Sequence, residues 1–129
     1  MMEGPTPLHV LEPQHRITAA ELAGRLQQLR ADGSPFVLLD VRPAVHFAAS
    51  RLQGAQSFPI EGLKWREGEL LSAANAAGTA AAKFVLCRRG NDSQLAVQAL
   101  LQLGVTNVVD VEGGMTAWSR DVDATVPVL

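Results

Sequence analysis

The residue best equipped for chemistry is Cys87, the only cysteine among 129 residues. It opens the segment Cys87-Arg88-Arg89-Gly90-Asn91-Asp92-Ser93-Gln94, between an apolar run at 84–86 and a stretch with helical periodicity. A loop that leaves a buried strand and enters a helix turns backbone N–H groups toward one point, and the helix dipole adds positive potential there. Such a cradle stabilises an anion, whether the thiolate of Cys87 or the terminal sulfur of a persulfide carried on it. Arg88 and Arg89 add positive charge, Gly90 lets the loop turn where a side chain would clash, and Asn91 or Asp92 can cap the helix that follows.

Two other readings compete. A lone cysteine after a strand is often a small buried hydrophobe, although a core residue has no need of a polar, glycine-bearing loop beside it. A phosphate-binding loop would close an arginine around the oxyanion six positions after the cysteine. That position is Ser93, which disfavours the phosphatase class.

The elements that must position this loop can be read from periodicity. Thr18 and Glu21 form a capping box, and Leu22, Leu26 and Leu29 make an apolar stripe that ends at Asp32-Gly33. The run 36–40 reads as a strand buried on both faces. A short helix is predicted after Pro43, and a weak strand over 55–58, stopped by Pro59. Residues 60–82 predict short helices, one near 69–76, and an alanine-rich loop over 73–82. A strand over 84–86 leads to the Cys87 loop. A helix over 93–103 is predicted to bury Leu95, Ala99, Leu100 and Leu103, with Gly104 as its stop. A strand over 108–111 and a helix from Gly113-Gly114 to about Arg120 complete the chain. Alternation of strands and helices with short connections predicts an α/β domain. It should have a mainly parallel sheet, helices on both faces, and ligands at the carboxyl ends of the strands. Residues 1–14, with three prolines and a glycine, read as a linker or lead, and 15–129 as one domain.

Composition narrows the function classes. Hydrophobic residues make up 47% of the chain, enough for a core, and a net charge of −2 gives no dominant nucleic-acid footprint. No apolar run is long enough to cross a bilayer, and the lead lacks the basic and apolar regions of a signal peptide. A single cysteine rules out an internal disulfide, a CxxC redox pair and a multi-cysteine zinc site, and fits a reducing compartment such as the cytoplasm. His9, His15 and His46 have no metal-ligand spacing and read as surface or structural residues.

Three blocks in order resemble the rhodanese-like domain family over nearly the whole domain. The first is Leu39-Asp40-Val41-Arg42-Pro43, then Phe47, then Leu52-Gln53-Gly54-Ala55 running to Pro59. The second is the cysteine loop. The third runs from Val109 through Glu112-Gly113-Gly114 to Ala117-Trp118. The loop and the tail from Asp121 to Pro127 are further similar to the C-terminal rhodanese domain of eukaryotic adenylyltransferase and sulfurtransferase proteins, which activate ubiquitin-like sulfur carriers. That resemblance implies that this chain is a fragment, with an adenylating domain upstream that would hold the ATP and zinc sites. It implies no cofactor in the present domain. It also implies that Cys87 takes sulfur from a cysteine desulfurase or another persulfide donor. The sulfur would pass to the adenylated C-terminus of a ubiquitin-like carrier, for tRNA wobble-uridine thiolation and molybdopterin synthesis. The alternative within the same fold is a non-catalytic docking module, which the presence of Cys87 disfavours. Many rhodaneses carry a cation at the sixth loop position. Asp92 here should repel the thiosulfate anion, favouring a protein persulfide as donor. His46, Ser50 and Arg51 also depart from the family pattern.

Asp40 and Arg42 are the supporting candidates. Asp40 could hydrogen-bond the loop and Arg42 could place charge near the sulfur, or the two could form an ion pair that holds a turn; the second is favoured for Arg42. Trp118 reads as core packing. Trp65, between Lys64 and Arg66, reads either as a partner contact or as a partly buried anchor.

Overall fold

The computed structural model describes residues 8–129, so the first half of the lead lies outside the described residues. Helix α1 spans Ala19–Asp32. The Thr18 side chain accepts from the Glu21 N–H and the Glu21 carboxylate accepts from the Thr18 N–H, as the capping box requires. Gly33 ends the helix in the left-handed region at φ 69°.

Four predicted strands are present, as β2 (Phe36–Asp40), β3 (Gln56–Ser57), β4 (Ala82–Leu86) and β5 (Val108–Val111). A further strand, β1 (Arg16–Ile17), was not foreseen; two residues are too few to show a period. The sheet order is β1-β5-β4-β2-β3, and every pairing is parallel. The remaining helices are α2 (Ala44–Ala49), α3 (Glu67–Ala74), α4 (Asp92–Gln102) and α5 (Gly114–Asp121), with a 3-10 turn at Leu63–Trp65.

Alternation along the central strands sorts the core onto two faces. Val37, Leu39, Val85 and Cys87 pack with Leu70 and Ala74 of α3 and with Ala96, Val97 and Leu100 of α4. Leu38, Phe84 and Leu86 pack with Leu22 and Leu26 of α1 and with Met115 and Ala117 of α5. Helices therefore cover both faces, and the central strands, apolar throughout except for Lys83 and Asp40, are buried on both sides. Trp118 is half-buried against the α1–α5 core together with Val126 of the tail.

One expectation needs correction. Helix α4 does not bury the predicted leucine face: Leu95 and Leu103 are exposed, and Ser93, Gln94, Ala96, Val97 and Leu100 are the buried set. Its inner face starts with polar residues because it begins beside the cysteine loop. Residues 8–14, read from the sequence as linker or lead, are bonded to the domain. The Gln94 side chain accepts from the Val10 and Leu11 N–H groups and donates to the Leu8 carbonyl, while a 3-10 turn at Pro13–His15 leads into β1.

Candidate active site

Cys87 directly follows β4, and the order of the sheet places β4 between β2 and β5. The carboxyl ends of these strands bring three segments together: the Cys87 loop, Asp40 to Arg42, and Asp110 to Gly114. This is where a parallel sheet opens a crevice for ligands. A cavity of about 300 Å³ lies there. Arg42, Pro43 and His46 line it from one side, and Arg88, Arg89, Asn91 and Asp92 from the other, together with Cys87. Three arginines against one aspartate make it an electropositive site.

The loop is locked from behind. The carbonyls of Cys87 and Arg88 accept from the Met115 and Thr116 N–H groups in the first turn of α5, at 2.8 and 2.9 Å. This close approach explains Gly114, since a Cβ there would overlap the Cys87 carbonyl oxygen, whereas a Cβ on Gly113 would come within 2.6 Å of the Ala117 Cβ. Gly90 has φ 86°, and a Cβ there would come within 2.7 Å of the Gly113 nitrogen.

Cys87 is 3% exposed. Its sulfur accepts from the Gly90 N–H at 3.0 Å, and the thiol donates to Ser93 Oγ at 3.2 Å. Ser93 in turn donates to Asp110 Oδ2 at 2.8 Å. Asp110 is fully buried on β5 and paired in register with Arg16 of β1. The Arg16 guanidinium grips both carboxylate oxygens, at 2.8 and 3.1 Å, and donates also to the Gly90 carbonyl at 3.0 Å. Burial works against the Arg16 cation, but its hydrogen bond and charge contact with Asp110 outweigh it, so its pKa lies above the ordinary value.

Of the residues singled out from the sequence, Cys87, Arg88, Arg89, Asn91, Asp92 and Arg42 line the cavity, while Gly90 and Ser93 contact the sulfur. Neither Asn91 nor Asp92 caps α4 through its side chain; Asn91 Oδ1 instead accepts from the Leu8 N–H. Asp40 makes no bond to the cysteine loop. It forms a buried bidentate pair with Arg42 and accepts from the Arg42 N–H, and the Arg42 guanidinium reaches on to the Ser50 carbonyl. The pair holds the turn into α2, as the structural reading of Arg42 anticipated, yet Arg42 also borders the cavity. Trp65 is 83% exposed, which rules out a buried anchor.

Asp110 and Arg16 were missed. A carboxylate inside the apolar strand run 108–111 was the available signal, because a buried charge must be paired. Its partner lies 94 residues away in a strand too short to detect. Among the described residues no cluster of His, Cys, Asp or Glu could hold a metal ion, and no helix is long and apolar enough to cross a membrane.

Residues 18–121 match the model of the rhodanese-like domain. The chain is 43% identical over 121 residues to the adenylyltransferase and sulfurtransferase MOCS3-1 of Zea mays, covering 94% of this chain and 25% of that protein. It is 36% identical over 133 residues to the adenylyltransferase and sulfurtransferase MOCS3 of Sus scrofa, covering 93% of this chain and 28% of that protein. The chain thus spans about a quarter of the length of these curated relatives. Among solved structures, a rhodanese-related protein from Thermoplasma volcanium superposes with a TM-score of 0.64 at 27% identity, covering 89% of this chain and 99% of that one. With the family model spanning residues 18–121, most of the sequence, this chain belongs to the rhodanese-like domain family.

Proposed function

We propose that this domain is a sulfurtransferase that carries sulfane sulfur as a persulfide on Cys87. The observation that carries the reading is a lone cysteine at the carboxyl end of the central strand. It has a backbone N–H on its sulfur and borders a cavity ringed with arginines. A persulfide donor R–S–S⁻ would be attacked at its outer sulfur by Cys87. The Sγ–S bond forms, the donor S–S bond breaks, and the departing R–S takes the thiol proton. The terminal sulfur left on Cys87 is anionic, and the arginines stabilise it.

The likeness to adenylyltransferase and sulfurtransferase proteins supports a specific acceptor, the adenylated C-terminus of a ubiquitin-like sulfur carrier. The persulfide sulfur attacks the acyl carbon, and AMP leaves. Release of the thiocarboxylate from the resulting acyl disulfide takes two electrons from a thiol outside this chain, since Cys87 is its only cysteine. In this reading the product serves tRNA thiolation and molybdopterin synthesis, the donor is a cysteine desulfurase or another persulfide protein in the cytoplasm, and an adenylating domain acts beside this one.

Intact mass after exposure to a loaded cysteine desulfurase tests the core of the reading. The expected result is one added sulfur atom, removed by dithiothreitol and absent in Cys87→Ala. A folded protein that takes up no sulfur would sink it and leave protein docking as the better account of the fold. Donor choice is tested at Asp92, which borders the cavity. Asp92→Arg should raise thiosulfate turnover by at least about tenfold, because it turns a repulsion into an attraction. No gain would reject the electrostatic account of donor preference.

A further inference from the structure

Behind the cysteine lies a closed ring of hydrogen bonds. The thiol of Cys87 donates to Ser93, Ser93 to Asp110, Arg16 binds Asp110 and the Gly90 carbonyl, and the Gly90 N–H returns to the sulfur. Ser93 and Asp110 are both 0% exposed. Both are shielded from solvent, and a serine has one proton to give. In the thiol state that proton goes to the carboxylate, leaving the Ser93 oxygen free to accept S–H. In the thiolate state two anions stand on either side of one hydroxyl. Asp110 can yield the proton because the Arg16 guanidinium already holds both of its oxygens.

We propose that Ser93, set by Asp110 and Arg16, is the positioning group that governs thiolate formation at Cys87, by turning its single hydroxyl proton between the carboxylate and the sulfur. This rests on the sulfur-carrier reading for its purpose. When two electrons from the outside thiol reduce the acyl disulfide, the Sγ–S bond breaks, the outer sulfur departs as the thiocarboxylate and Cys87 is left as a thiolate. The Ser93 hydroxyl then turns from Asp110 to that sulfur. When a new persulfide forms, Sγ is no longer anionic and the hydroxyl returns to the carboxylate. Arg16 lies ahead of the segment 18–121 that the family model matches, so the ring draws on a strand outside it.

The other titratable or charged groups near the sulfur are Arg42 and His46 across the cavity, and Arg88, Arg89 and Asp92 on its own loop. Glu112 acts on Arg16 through its charge. None of these is altered in the variants below, so a change in the pH profile reports the ring itself.

The test is the pH profile of Cys87 alkylation by iodoacetamide, which needs no sulfur donor. Its outcome is therefore separate from whether Cys87 carries sulfur, which the mass measurement decides. Ser93→Ala should slow alkylation at acidic to neutral pH by about tenfold, the worth of one hydrogen bond to an anion, and move the profile to higher pH. Ser93→Thr, which keeps the hydroxyl, should restore it. Asp110→Asn should move the profile the opposite way, because an amide N–H can donate to Ser93 and free its hydroxyl for the sulfur. An unmoved Ser93→Ala profile, or an Asp110→Asn shift in the same direction as Ser93→Ala, overturns the proposal. Should Asp110→Asn fail to fold, Arg16→Gln takes its place. It should slow alkylation when Ser93 is intact and slow it clearly less when combined with Ser93→Ala, where only the direct charge contact of Arg16 with Cys87 is lost. An equal effect in both backgrounds would mean simple charge action and would also overturn the proposal.

Discussion

Two cations are buried in this domain at opposite ends of the same sheet, and they are treated differently. Lys83, near the amino end of β4, spends all three of its protons on backbone carbonyls, those of Thr79, Ala81 and Thr106, at 2.8 to 3.0 Å. Arg42, just past the carboxyl end of β2, is equally buried and clamps Asp40, yet its Nη1 has no hydrogen-bond partner among the described residues. The lysine closes the loops that feed β4 and β5 and is not among the residues that line the Cys87 cavity. The arginine borders the cavity that holds Cys87. A fully satisfied buried cation is explained by the fold alone. One that keeps a donor in reserve beside a nucleophile is not, since unpaired buried donors are costly to retain.

The comparison can be broken most decisively at Asp40. Asp40→Ala removes the only carboxylate that the Arg42 side chain touches among the described residues and leaves a buried guanidinium uncompensated. The expected loss is about 3–5 kcal/mol, read as a fall in the urea midpoint with little change in slope. A loss below about 1 kcal/mol would show that the turn does not depend on the pair. Next in size is Lys83→Met, which keeps the stem but strips three carbonyls of their donor. It should cost about 2 kcal/mol and leave the Cys87 alkylation profile untouched, because the change sits at the far end of the sheet. A shifted profile would mean that the two ends are coupled through β4 and that their separate roles are wrongly drawn.

The same contrast explains what could be read from the sequence. The capping box at Thr18, the apolar runs of β2 and β4, and the Gly113-Gly114 entry to α5 are local signals, and each element stands where they indicate. Cys87 and its loop were legible for the same reason, being contiguous in the chain. What escaped is set by tertiary partners. Arg16 and Asp110 meet only when β1 pairs with β5, and Asn91 faces the lead at Leu8 instead of capping its own helix. Leu95 and Leu103 misled because leucine spacing outweighed Ser93 and Gln94, whose burial makes sense only beside the cysteine loop and the lead. Polar residues inside apolar patterns, Asp110, Lys83 and Gln94 among them, were the places where local reading failed. Two of those three touch the site or its loop.

The smallest effect concerns the pH dependence of Lys83. Burial disfavours its charged form and lowers its pKa from the ordinary lysine value of 10.5. The unfolded chain, with its ordinary value, holds the proton to higher pH than the folded one. Between the two values the unfolded state therefore binds more protons, and stability from this group rises with pH there. Below the folded value both states are protonated and the folded state bears the full cost of burying the charge. Above the unfolded value both are neutral and that cost is gone. Comparing the urea midpoints of the native chain and Lys83→Met from neutral pH up toward 10.5 should show the stability gap between them widening. A gap that stays constant through that window would mean that the three carbonyls offset the burial entirely, and that Lys83 titrates folded as it does unfolded.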